Sequence, residues 1–128
     1  MVTGANEMGQ YKTILYNEKN QLIADEPLSK GGLDLGLSPT ELLCAALSAC
    51  TCITLRMYAD KKAWSLEKVE TMVELAPDEG PGITSLRRQI RFTGSLNSEQ
   101  TKRLLEIAEH CPVHKILTNT IIIKTALA

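Results

Sequence analysis

The sequence predicts an α+β fold, built as a single domain from residues 1–128. Its length of 128 residues matches one domain, and we find neither an internal repeat nor a linker. The predicted strands come in pairs separated by helices, in the order ββ-α-ββ-α-β, which favours antiparallel hairpins over alternating parallel units. Hydrophobic residues make up 44% of the chain and charged residues 23%, a balance typical of a packed protein.

The first two strands are predicted to form a hairpin. Residues 11–16 mix β-branched and aromatic side chains as strands do, residues 17–20 are a cluster of turn formers, and residues 21–24 can return as the partner strand. Three glycines within residues 31–36 then mark a loop. This loop lacks the Gly-Lys-Ser/Thr ending of a phosphate-binding loop, so we expect no nucleotide there.

The central helix has the clearest start signal in the sequence. Ser38 supplies an N-cap, Pro39 takes the first helical position, and Glu41 completes a capping box. No Gly or Pro interrupts the chain from Glu41 to Lys62, and apolar residues cover most of the helix circumference. The longest uncharged run, between Glu41 and Arg56, has fourteen residues and is shorter than the ~20 residues of a membrane span. We therefore predict a buried helix, no membrane contact, and a partner subunit that covers part of its surface.

A second hairpin is predicted after the central helix. Residues 66–75 and residues 86–93 alternate apolar and polar side chains, and the loop 76–82 joins them. Antiparallel pairing would bring together opposite charges on the outward face of these strands, from Glu70, Glu74, Arg87 and Arg91.

The last third of the chain predicts two helices and a strand. Asn97 caps a helix that ends at Cys111, because the residue before a proline avoids the α conformation. Pro112 is suited to begin a short helix through Leu117. Residues 120–124, with three consecutive isoleucines, are predicted to be a final buried strand.

Charge and composition exclude several classes of function. Fourteen Lys and Arg residues against fifteen Asp and Glu residues leave a net charge of −1, whereas phosphate contacts to nucleic acid usually need a basic excess. Aromatic residues are only 4% of the chain, which argues against a base-stacking surface. Residues 1–20 contain no continuous apolar stretch of the kind found in signal peptides. We therefore expect a cytoplasmic protein with no nucleic-acid partner and with reduced thiols.

Four cysteines are the residues best suited to chemistry, and three of them lie on the central helix. In these apolar surroundings Cys44, Cys50 and Cys52 are each most simply small core residues. Cys50 and Cys52 point about 160° apart on a helix. Only Cys52 shares a helix face with Arg56, four residues later.

Cys111 has different surroundings at the start of the short helix. Unpaired backbone N–H groups and the nearby His110, His114 and Lys115 would supply partial or full positive charge. Such surroundings make a thiol reactive. The alternative is that Cys111 only ends a helix and that His114 caps or packs.

A zinc site is a third possibility for these residues. The chain offers five suitable ligands, which are Cys50, Cys52, His110, Cys111 and His114. However, two helical cysteines that point apart cannot easily bind one ion, and neither group has the spacing of a zinc knuckle. We therefore expect no metal.

A helix that starts with Ser-Pro and carries Cys50, together with a distant Cys111-Pro112 pair, resembles the OsmC/Ohr family of thiol-dependent peroxidases. The likeness begins near Lys30 and covers most of the remaining chain. Its clearest segments are residues 37–50, 54–59, 64–66, 94–100 and 111–115.

The resemblance implies both an architecture and a reaction. The fold would have two antiparallel sheets around central helices in an intertwined homodimer, with no metal or organic cofactor. Cys50 would be the peroxidatic cysteine, attacking an organic hydroperoxide to become a sulfenic acid. Cys111 would resolve it as a disulfide, which a small or protein-borne dithiol would reduce.

Two departures from the family pattern concern the surroundings of Cys50. The well-studied peroxidase branches hold this thiolate with an arginine from the N-terminal strands, whereas this chain has no arginine before Arg56. Those branches also place a glutamate directly after the helix-starting proline, where this chain has Thr40, with Glu41 one residue later.

These departures leave the supporting residues and the function open to more than one interpretation. Glu41 and His114 are retained as supporting site residues, and Arg88, on the inward face of its strand, is a candidate substitute cation. The local sequence favours Cys111 as the reactive thiol, whereas the resemblance assigns the first attack to Cys50. The alternative function is a non-enzymatic module of the same fold that binds a small apolar ligand.

Overall fold

Two antiparallel sheets and three α-helices make up the fold of the described residues, which confirms the α+β class. The structure is a computed structural model that describes residues 1–77 and 79–128. The strands are β1 (Thr3–Asn6), β2 (Thr13–Tyr16), β3 (Gln21–Ala24), β4 (Ser65–Leu75) and β5 (Leu86–Ser95). The helices are α1 (Pro39–Lys61), α2 (Ser98–Ala108) and α3 (Pro112–Leu117), and a single 3-10 turn spans Leu28–Lys30.

The chain divides into two compact units, Met1–Ala45 and Ala46–Ala128, and α1 runs through the boundary. The first unit contains the sheet β1-β2-β3. The β2–β3 hairpin is confirmed, because Asn17 closes its turn with a hydrogen bond from its N–H to the Asn20 carbonyl at 3.0 Å. Strand β1 was not predicted, since its exposed residues give no apolar alternation. The assignment of residues 1–128 to one domain stays a prediction.

The start of α1 follows the predicted capping box. The Ser38 N–H donates to Glu41 Oε2 at 2.8 Å, and the Glu41 N–H donates to Ser38 Oγ at 3.4 Å. Because the Ser38 backbone N–H and then the Ser38 hydroxyl donate to this carboxylate, the pKa of Glu41 lies below its ordinary value. The helix ends at Lys61, and Ala63 then takes a left-handed conformation with φ of 52°.

Within the described part of this single chain, helix α1 is buried along one face, and the predicted cover of its other faces by a partner subunit stays a prediction. The buried residues repeat every four positions and are Leu47, Thr51, Leu55 and Ala59. Ile53 and Met57 on other faces are mostly exposed, because nothing in the described part of this single chain covers them. With 23 residues, α1 is also long and apolar enough to cross a membrane by length and composition. The core helix of a folded protein passes the same test, and α1 has the packed face of such a helix.

The predicted antiparallel hairpin of β4 and β5 is confirmed, and its oppositely charged residues lie across from each other. Glu70 lies opposite Arg91, and Glu74 lies opposite Arg87 with its carboxylate 3.0 Å from the guanidinium. Glu70 instead pairs with Lys68 on its own strand at 2.7 Å, and this hydrogen bond lowers the pKa of the Glu70 carboxyl. In the predicted loop 76–82, Asp78 lies outside the described residues.

One hydrophobic core joins α1, α2 and the second sheet. Its buried members are Leu55, Ala59, Leu66, Leu104 and Ala108, and Ile90 and Phe92 pack against them from β5. Helix α2 starts with a complete capping box between Asn97 and Gln100, as the N-cap prediction requires. Helix α3 starts at Pro112 with Cys111 as its N-cap.

The predicted final strand is wrong for this chain alone. Residues 120–124, all of them described, adopt no regular secondary structure, and the exposed fractions of Ile121, Ile122 and Ile123 are 55%, 78% and 84%. An apolar strand needs a sheet edge to pair with and a surface to cover it. Neither is supplied to these residues by the described part of the chain.

Candidate functional site

Cys50 and Cys111 meet at the first turn of α3. Cys50 Sγ accepts a hydrogen bond from the Val113 N–H at 3.5 Å, and Cys111 Sγ accepts one from the His114 N–H at 3.4 Å. Both cysteines are free thiols. The fold thus brings two cysteines that are distant in sequence to consecutive backbone amides.

Pro112 explains why these two amides are available. As the first residue of α3, Pro112 has no N–H, and its ring fixes the φ angle that starts the helix. The next N–H groups, on Val113 and His114, have no carbonyl one turn earlier within the helix. Instead, the Val113 N–H donates to Cys50 Sγ and the His114 N–H donates to Cys111 Sγ.

The two thiols differ in their access to solvent. Cys111 is fully buried, whereas Cys50 is only partly buried. Within this single chain, Cys50 is therefore the more accessible residue of the two.

Arg88 is connected to the Cys111 thiol through the hydroxyl of one intervening residue, Thr51. Its side chain is only 9% exposed, as expected for the inward face of β5. Its Nη1 donates to Thr51 Oγ1 at 3.0 Å and to the Ala108 carbonyl at 3.1 Å. Thr51 Oγ1 is in turn 3.8 Å from Cys111 Sγ. Among the described residues, no hydrogen bond of Arg88 reaches Cys50, so this cation serves the Cys111 side of the pair.

Glu109 and His114 form the outer edge of the same cluster. Glu109 binds Arg88 Nη2 through Oε1 at 2.7 Å and lies 3.3 Å from His114 Nε2 through Oε2. The direct contact of His114 with Cys111 is made by its backbone N–H rather than by its ring. Glu41, the other supporting residue, is held by Ser38 in the capping box of α1.

Thr51 is a member of this cluster that the sequence does not single out. It is fully buried, and its hydroxyl donates to the Leu47 carbonyl at 2.7 Å while it accepts from Arg88. The available signal was a threonine within the apolar stripe of a helix, next to Cys50. Its other partners come from β5 and from the start of α3, which a helical pattern alone does not indicate.

Cys52 points to the sheet and away from this cluster. Its sulfur lies 3.4 Å from Thr71 Oγ1 and 3.8 Å from the Val69 carbonyl, both on β4. Arg56, which shares its helix face, donates to the carbonyls of Leu66 and Glu67. Within residues 1–77 and 79–128, no group of three or more His, Cys, Asp or Glu side chains could hold a metal ion. The sequence-based zinc alternative therefore has no support from this arrangement.

Comparisons with known proteins agree on one family and one fold. The model of the OsmC-like protein family matches residues 31–126. None of the curated proteins matches the chain significantly.

Several solved structures share the fold at low sequence identity. An OsmC-like protein of Mycoplasma pneumoniae is 19% identical, with a TM-score of 0.75 over 91% of this chain and 85% of that one. The organic hydroperoxide resistance protein OsmC of Legionella pneumophila is 22% identical, with a TM-score of 0.68 over 92% and 89%. The organic hydroperoxide resistance protein OhrB of Bacillus subtilis is 20% identical, with a TM-score of 0.62 over 92% and 90%.

Proposed function

Because this chain belongs to the OsmC-like protein family, we propose that it is a thiol-dependent peroxidase that reduces organic hydroperoxides with Cys50 and Cys111. Family membership and structural neighbours named for organic hydroperoxide resistance support a redox role. One observation carries the finer assignment. The sulfurs of Cys50 and Cys111 accept hydrogen bonds from the consecutive N–H groups of Val113 and His114 at the start of α3.

The reaction begins at the more accessible sulfur. The Cys50 thiolate attacks the terminal oxygen of the hydroperoxide, the O–O bond breaks, and the organic fragment leaves as an alcohol after taking up a proton. Cys50 becomes a sulfenic acid. The Val113 N–H, 3.5 Å from this sulfur, is a donor to the negative charge on the thiolate.

Cys111 completes the oxidative half of the cycle. Its thiolate attacks the sulfenic sulfur of Cys50, hydroxide leaves and becomes water, and a Cys50–Cys111 disulfide forms. A dithiol then restores both thiols by two thiol–disulfide exchanges and becomes a disulfide itself. No metal or organic cofactor takes part in these steps.

The direct test is a thiol count with intact mass, before and after one equivalent of cumene hydroperoxide. We expect the loss of two thiols and two hydrogen atoms, and peptide mapping should assign the new bond to Cys50 and Cys111. The variant Cys111→Ser should instead gain one oxygen at Cys50. Four unchanged thiols in the parent protein would contradict the proposal and favour a module of this fold that binds a ligand without catalysis.

We also propose that the chain forms a homodimer and acts in the cytoplasm. The dimer is supported by apolar residues that the described part of one chain leaves uncovered, among them Ile53 and Met57 on α1 and the isoleucines 121–123. The cytoplasm is supported by four cysteines that are all free thiols.

A further inference from the structure

The surroundings of Cys111 suggest which sulfur is released when the disulfide is reduced. We propose that Arg88, acting through Thr51, stabilises the Cys111 thiolate, so that the reducing dithiol attacks Cys50 and Cys111 leaves. This inference rests on the proposed function, because it describes the reductive half of the same cycle. In it, Arg88 and Thr51 are positioning residues rather than catalytic ones.

The first argument is the hydrogen bonding around the two sulfurs. Cys111 Sγ has the His114 N–H at 3.4 Å and the Thr51 hydroxyl at 3.8 Å. Cys50 Sγ has the Val113 N–H at 3.5 Å. Hydrogen bonds to an ionised group are stronger than bonds to a neutral one, so a hydroxyl that can turn its proton toward Cys111 favours negative charge on that sulfur.

The Thr51 hydroxyl can change its role with the charge on sulfur. Its single proton is directed to the Leu47 carbonyl at 2.7 Å, which leaves the oxygen to accept from a Cys111 thiol. When Cys111 becomes a thiolate, the hydroxyl rotates and donates to sulfur. Arg88 continues to donate to the same oxygen at 3.0 Å and polarises it further.

The buried position of Arg88 strengthens the electrostatic effect of its charge on neighbouring groups. The guanidinium is almost completely buried, where charge is screened less than at the surface. Glu109 offsets part of this charge at 2.7 Å, but Glu109 is itself more than half exposed and shares its other oxygen with His114. The chain of contacts therefore runs from the buried Cys111 sulfur through Thr51 and the cationic Arg88 to Glu109, whose carboxylate is the part nearest to solvent.

The second argument is access. Cys111 is fully buried and Cys50 is not, so the attacking thiolate reaches Cys50 first. It forms a bond to Cys50 Sγ, the Cys50–Cys111 bond breaks, and the electron pair stays on Cys111 Sγ. The second thiol of the reductant then displaces Cys50, which leaves a cyclic or linear disulfide of the reductant and two protein thiols.

The test begins from a disulfide made without peroxide. The Cys44→Ser/Cys52→Ser protein is oxidised with diamide, treated briefly with 2-mercaptoethanol, quenched in acid and mapped by peptide mass. We expect at least about ten adducts on Cys50 for each one on Cys111, since the better-stabilised thiolate leaves faster. An adduct mainly on Cys111 would overturn the inference.

Variants at Thr51 separate this role from a structural one. Thr51→Val removes the hydroxyl at nearly constant shape, and Thr51→Ser keeps it. We expect Thr51→Val to slow disulfide reduction by dithiothreitol about tenfold and to shift adducts toward Cys111, because the leaving thiolate has lost a donor. Thr51→Ser should restore both values, and equal behaviour of the two variants would overturn the inference.

Arg88→Met and Arg88→Lys provide a second comparison at the charge itself. Arg88→Met should resemble Thr51→Val, and Arg88→Lys should recover part of the rate. If Arg88→Met does not fold, the Thr51 pair still decides. Failure of diamide to form the Cys50–Cys111 bond in the parent would instead overturn the proposed function, and this inference with it.

Discussion

Cys50 and Cys52 lie two residues apart on α1, yet the helix directs them to opposite sides of the same unit. Cys50 meets a backbone N–H at the start of α3, whereas Cys52 meets a carbonyl and a hydroxyl on β4. An N–H can stabilise a thiolate, whereas the Val69 carbonyl can only accept a hydrogen bond from a thiol and the Thr71 hydroxyl is already bonded to Ser48. The element that faces each sulfur, rather than the helix or the residue type, therefore distinguishes the two thiols, and under the proposed function it favours Cys50 as the reactive one.

The largest expected effect comes from removing one sulfur at a time. Cys50→Ser should lower the rate of organic hydroperoxide reduction by roughly a thousandfold or more, because the nucleophile is lost. Cys52→Ser, the matched control, should stay within about twofold of the parent, because its hydroxyl can bond to Thr71 in the same way. Steady-state turnover with cumene hydroperoxide and dithiothreitol measures both.

The opposite result would assign the chemistry to the other face of α1. If Cys52→Ser were the inactive variant, the thiol that faces β4 would be the reactive one. If both variants kept the parent rate, neither face of α1 would carry the chemistry.

The two faces of α1 should also differ in their effect on stability. Leu55 is fully buried against Leu66 and Leu104, so Leu55→Ala should lower the free energy of unfolding by about 2–5 kcal/mol. Ile53 lies on an exposed face, so Ile53→Ala should lower the free energy of unfolding by less than half as much. This comparison is made at a protein concentration that favours the monomer. Urea unfolding followed by circular dichroism gives both values, and equal losses would mean that the exposed face is packed within one chain.

The exposed isoleucines near the end of the chain test whether a partner subunit covers what a single chain does not. Ile122→Glu should raise the dimer dissociation constant by about thirtyfold, the equivalent of ~2 kcal/mol, because it places a charge in an apolar contact. Ala126→Glu adds the same charge outside the isoleucine run and should change the constant little. Sedimentation equilibrium measures both, and a parent protein that is monomeric at high concentration would contradict the dimer.

Local rules of sequence predicted most of the elements. The capping residues and prolines located α1, α2 and α3, and the charge pattern supported the antiparallel pairing of β4 with β5. These features depend on residues within one or two turns of each other, or on a single hairpin. The unpredicted strand β1 and the misassigned strand at 120–124 depend on surfaces that no local pattern describes.

The candidate site was predictable in part and for a different reason. The cysteines were visible as residue types, but their pairing was implied by a family resemblance and not by spacing. Thr51 was missed and the partners of Arg88 were not anticipated, since α1, β5 and the start of α3 are far apart along the chain and meet only in the folded protein. Contacts of this kind require the tertiary structure.

The smallest expected effect concerns the first turn of α1, where a cap rather than a thiol is involved. Ser38 lowers the pKa of the Glu41 carboxyl in the folded chain below its ordinary value of 4.5. A carboxyl with a lowered folded pKa stabilises the protein at pH values above the unfolded pKa, and this contribution is lost as the pH falls through the folded pKa. Glu41→Gln keeps the acceptor oxygen without the charge, so the parent should lose slightly more stability than the variant between pH 5 and about pH 3. Urea midpoints at these two pH values test this, and parallel losses would mean that the charge of Glu41 does not contribute to the cap.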